Sequence, residues 1–139
     1  MPLPPELIAA YQKALYVVFG EPELVLRIGE PSPGLDALLA ARAASAAAFV
    51  TAANPRGQRW TDAANQAAVA GLLKSRLLEG CAWLAGEGRD AEGRWPAEPS
   101  VLLLGVSRAK AQEIGRVYGQ NSIVFAELGK APELVLLAA

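Results

Sequence analysis

Strand-like runs in this chain come in pairs separated by only a few residues, and that spacing decides which folds are open to it. "LYVVF" (15–19) and "ELVLRIG" (23–29) flank "GEP", and "NSIVFAEL" (121–128) and "ELVLLA" (133–138) flank "GKAP". Parallel neighbours need a crossover of a dozen or more residues, so links this short allow only antiparallel hairpins. "AAAFVTA" (46–52), "CAWLAGEG" (81–88) and "SVLLLGV" (100–106) supply three further strands, the last without polar alternation, as in a strand covered on both faces.

Helices are expected between these runs. Pro4 and Pro5 open one into "ELIAAYQKAL", and "PSPGLDALLAARA" feeds a second. Thr61 caps a third, running to about Leu78, and Ser107 caps a fourth that stops at Gly119. In the third helix Ala64, Ala67, Gly71 and Leu78 fall on one stripe small enough to approach a sheet, which turns Asn65 away from the packed face. The order αββαβαββαββ reads as a single α+β sandwich over residues 1–139, with a mixed or largely antiparallel sheet packed by about four helices.

Composition narrows the function. Hydrophobic residues are 53% of the chain and charged residues 19%, enough apolar surface for one buried core. No apolar run approaches the roughly 20 residues of a bilayer span, and no secretory signal pattern opens the chain, so a cytoplasmic bacterial protein is the expectation. Cys81 is the only cysteine and histidine is absent, which removes disulfides, cysteine-rich zinc sites and histidine-based triads. A net charge of -1 with 13 scattered basic residues argues against nucleic acid. No cofactor or metal is expected, and none of these features specifies an oligomeric state.

Three polar stretches stand out: "TAANPRGQRW" (51–60) with Asn65 downstream, "GEGRDAEGRWPAEPS" (86–100) and "YGQNSIV" (118–124). Together with "LRIGE" (26–30), they resemble the bacterial domain-of-unknown-function family numbered 3293 over nearly the whole chain. The resemblance implies boundaries and a bacterial origin but no activity or catalytic residues, so the chemistry must be read from the side chains.

Each stretch has a structural and a functional reading. Asn54 before Pro55 turns a chain out of a sheet, yet Thr51, Asn54 and Arg56 also leave the strand together and face the helix start at Thr61, where free N–H groups favour an anion. Asn65 is near enough to join them. Gln120 and Asn121 either cap the preceding helix or aim at a ligand. Glu87, Asp90 and Glu98 could serve as a carboxylate base or Mg²⁺ ligands, but Arg89 and Arg94 stand ready to neutralise the loop, and it lacks the ligand spacing of an EF-hand. Trp95, beside Pro96, lids either the core or a pocket.

Three functions compete on these residues. The first is a site for a small polar or anionic metabolite, lined by Thr51, Asn54, Arg56, Asn65, Trp95, Gln120 and Asn121. The second is an interaction module working through an exposed edge such as "ELVLLA"; the third is a carboxylate- or Mg-dependent hydrolase. Asn54 follows a strand while Gln120 and Asn121 precede one, so they meet only if those strands run antiparallel.

Overall fold

The computed structural model describes residues 3–137, so Ala138, at the end of the "ELVLLA" run, lies outside it. Its elements follow the expected order: α1 (Pro5–Lys13), β1 (Leu15–Val18), β2 (Leu24–Leu26), α2 (Pro33–Ala41), β3 (Ala46–Val50), α3 (Asp62–Leu73), β4 (Ala82–Arg89), β5 (Glu98–Leu104), α4 (Arg108–Val117), β6 (Ser122–Glu127) and β7 (Glu133–Leu136). Short 3₁₀ turns at Pro55–Gly57 and Arg76–Leu78 flank α3.

All strands join one seven-stranded sheet in the order β2-β1-β4-β5-β3-β6-β7. Every pairing is antiparallel. The sheet is therefore α+β and wholly antiparallel, the outcome the short hairpin links require.

Alternation along the central strands makes two cores. Ala48, Val50, Val101, Leu103 and Phe125 face one way and pack with Leu72 of α3 and Ile114 of α4. Phe49, Leu102, Leu104 and Val124 face the other and pack with Leu35 and Leu39 of α2. Because both faces are covered, β3 is buried along its whole length. Burying a leucine as completely as Leu39 or Leu103 is worth about 1.5–3 kcal/mol. Ser32, Thr61 and Ser107 each accept a hydrogen bond from the backbone N–H three residues on, capping α2, α3 and α4. Gly119 stops α4 with φ +68°.

Helix α3 departs from expectation. It ends at Leu73 rather than near Leu78, because Ser75 accepts from Leu77 N–H and starts a separate 3₁₀ turn. Its packed face is Asn65, Val69 and Leu72, while Ala67 and Gly71 are exposed. Burying Val69 and Leu72 removes more apolar surface from water than burying an alanine stripe, and that rotates the helix by the amount that brings Asn65 inward. A Cβ at Gly71 would meet no atom within 4 Å. Gly71→Ala is accordingly expected to stabilise the protein by about 0.5–1 kcal/mol, through helix propensity alone. A lowered denaturant midpoint for that variant would show that this face of α3 is packed.

Strand β5 begins two residues earlier than expected, at Glu98. This places Glu98 on a strand, on the same face as Ser100 and Leu102, instead of on a free loop.

Candidate functional site

The site grows from the end of β3. Thr51 Oγ1 donates to the Pro99 carbonyl at 2.6 Å and accepts from Ala53 N–H at 2.9 Å, tying the exit of β3 to the entrance of β5. The chain then reverses through left-handed backbone at Asn54 (φ +45°), Arg56 (φ +57°) and Gly57 (φ +74°). Asparagine tolerates this region; arginine rarely adopts it, at a cost of order 1–3 kcal/mol. The turn is held by Arg56 N–H donating to the Gly119 carbonyl at 2.7 Å.

Asn54 uses every polar group it has. Its backbone N–H donates to Asn65 Oδ1 at 2.9 Å, and its Oδ1 accepts from Trp60 N–H at 2.8 Å and Asn65 Nδ2 at 2.9 Å. Its Nδ2 donates to Glu98 Oε2 at 2.6 Å. Asn65 is only 5% exposed, so the pair forms a buried amide clasp between α3 and the turn. Beyond the clasp stands Glu98, whose carboxyl is held above the usual carboxylate range by burial, against the opposing Asn54 hydrogen bond and the charge of Arg59.

The antiparallel pairing of β3 with β6 brings the third polar stretch to the same end of the sheet. Gln120 Nε2 donates to the carbonyls of Ala53 (3.1 Å) and Tyr118 (3.2 Å). Asn121 Nδ2 donates to the Tyr11 hydroxyl of α1 at 3.1 Å, and Tyr16 O–H donates to the Tyr11 carbonyl at 2.5 Å. Helix α1 is thereby fastened over the sheet, with burial pushing the Tyr11 hydroxyl up from its ordinary value. The Tyr16 and Phe49 rings meet edge to face at 5.3 Å.

Between α1 and this end of the sheet lies a cavity of about 240 Å³. Of the residues singled out from sequence, Thr51, Asn54, Trp95, Glu98, Gln120 and Asn121 line it. Asn65 does not; it stands behind Asn54 as its support, buried rather than solvated. Arg56 is placed elsewhere, in an open groove on the α3–α4 side with Trp60 and Arg116. The left-handed turn at Arg56 lays its side chain over Gly119, and the α3 start at Thr61 is likewise outside the cavity. The anion cradle expected from Arg56 and Thr61 is therefore not assembled there.

The acidic loop also divides. Asp90 accepts from Arg94 backbone N–H at 2.8 Å and Nε at 3.1 Å, and these bonds pull its carboxyl below the usual range. Glu87 pairs with Arg89 Nε at 2.6 Å. Strand alternation puts Glu87 on the sheet face opposite its neighbour Gly88, which lines the cavity. Both carboxylates are neutralised by the arginines beside them, and only Glu98 reaches the cavity. Among the described residues no cluster of three or more His, Cys, Asp or Glu side chains could hold a metal ion.

Sequence reasoning missed Tyr11, Tyr16, Arg59, Ser100 and Ser122, polar residues that also line it. Only Arg59 carried a signal, as the second arginine of "RGQRW", and nothing in that motif says which arginine faces inward.

An antiparallel α/β/α sandwich with one polar cleft at a sheet end defines the class of this protein. The sequence pattern of the family described as "Protein of unknown function (DUF3293)" matches residues 50–123, more than half of the chain, and the chain belongs to that family. The match contains most of the cleft's polar lining, from Thr51 to Asn121, whereas Tyr11 and Tyr16 precede it. No curated protein and no solved structure matches the chain. No helix among the described residues is long and apolar enough to cross a membrane.

Proposed function

We propose that this protein binds a small polar molecule in the cleft between α1 and the open end of the sheet. The observation that carries the reading is convergence: Thr51 and Asn54, then Glu98, then Gln120 and Asn121, come from three separated segments and line one cavity. A structural turn accounts for Thr51 and for most of Asn54, but not for a carboxylate buried against a cost with one oxygen left to the cavity. Glu98 is the only acidic side chain in that lining, so a paired-carboxylate hydrolysis has no second partner there.

A thermal-shift screen against a broad panel of small metabolites tests the reading. At least one compound is expected to raise the melting temperature, because a ligand bound only to the folded state stabilises it by mass action. Arg56→Ala is expected to retain the whole shift, and Asn121→Ala to lose most of it. A panel in which nothing stabilises the wild type would remove the binding reading.

A further inference from the structure

The cavity lining holds two opposite charges that are not joined in an ion pair, although the charge of Arg59 reaches Glu98. Glu98 and Arg59 are the only carboxylate and the only cation in its lining. Among the described residues neither forms an ion pair. Among the described residues the one side-chain hydrogen bond to Glu98 is from Asn54 to Oε2, leaving Oε1 without a donor there. Elsewhere in this region each acid beside an arginine is paired, as Glu87 with Arg89 and Asp90 with Arg94.

Among the neutral polar groups Gln120 adds an acceptor. Gln120 spends its amide N–H groups on the Ala53 and Tyr118 carbonyls, which leaves its side-chain oxygen to accept, whereas Asn121 spends one N–H on the Tyr11 hydroxyl and keeps an oxygen and a second N–H. With Glu98 Oε1 this puts acceptor oxygens on residues of one lining, and an ammonium group is a donor to such acceptors. Tyr11, Tyr16 and Phe49 supply aromatic walls, which favour a cation over an anion. Arg59 is exposed and so sits toward the solvent side of the lining.

Resting on the binding reading above, we propose that the ligand is a small zwitterion of the amino-acid type, its ammonium group seated on Glu98 and its anionic group on Arg59. Such a molecule satisfies both charges at once. A cavity of about 240 Å³ lies below the roughly 300–1,000 Å³ of sites for drug-sized ligands, which suits a molecule of that size.

The test is calorimetric titration of the full chain with the common α-amino acids and short ω-amino acids, each beside its N-acetyl and its amide counterpart. At least one zwitterion is expected to bind, and to lose tenfold or more in affinity on N-acetylation and again on amidation. Glu98→Gln should weaken that zwitterion by at least tenfold. Arg59→Gln, at an exposed position, should weaken it too while leaving the amide counterpart unaffected. An N-acetylated or amine-free compound that binds as tightly as its parent would overturn the zwitterion assignment and leave the binding reading intact, as would a metabolite panel in which only neutral or purely anionic compounds bind. Silence from both sets would overturn both.

Discussion

Asn54→Ala is expected to lower the unfolding free energy by about 2–4 kcal/mol, the largest single effect outside the apolar core. Three side-chain hydrogen bonds disappear together, to Trp60 N–H, Asn65 Nδ2 and Glu98 Oε2. The change also strands a buried amide at Asn65 and a half-desolvated carboxylate at Glu98, and each orphaned group keeps its desolvation cost. Alanine must in addition adopt φ near +45°, which costs about 1–2 kcal/mol that glycine does not incur. Asn54→Gly therefore isolates the hydrogen bonds from the backbone and should recover part of the loss. Asn65→Ala breaks the same clasp from the other side, so the double variant is expected to lose less than the sum, with a coupling of about 0.5–3 kcal/mol. Additive losses in urea denaturation would mean that the two amides act independently.

Glu98→Gln should do the opposite to stability. Burial raises the folded carboxyl above its unfolded value, so between the two the native state holds a proton that the unfolded state has released. That contribution to stability is fully present below the unfolded value and is lost as pH rises through the folded one. Above the folded value the protein carries a charged carboxylate in a poorly solvated place. Glutamine keeps an oxygen for Asn54 Nδ2 and carries no charge, so the variant should be more stable than wild type by about 0.5–2 kcal/mol at neutral pH. The gain should vanish in acid, below the ordinary carboxylate range. Denaturation midpoints at both pH values read the effect, and a variant less stable than wild type at neutral pH would contradict it.

The order of elements could be read from sequence because hairpin spacing, capping serines and Gly119 are local signals, each written within a few residues. Convergence of the cleft was also legible in conditional form. Asn54 ends a strand and Gln120 precedes one, and antiparallel pairing of β3 with β6 turns that offset into proximity. What could not be read is orientation. Alanines at 63, 64, 67, 68 and 70 flatten the amphipathic signal of α3, so the side chosen by Val69 and Leu72 was hidden and Asn65 with it. Arg56 and Arg59 exchange roles through a left-handed backbone that arginine rarely adopts, which no residue preference reveals. Tyr11 meets Asn121 across 110 positions of sequence, a contact that exists only once the sheet has formed.

The central claim is that the polar residues gathered at the end of β3 serve a ligand and do not merely close a turn. Amide-resolved chemical-shift mapping tests it most directly, using the compound that gives the largest thermal shift. The account predicts that saturable perturbations concentrate at residues 51–54, 98–100 and 120–122 and on α1 around Tyr11. Perturbations centred instead on Arg56, Trp60 and Arg116 would contradict it.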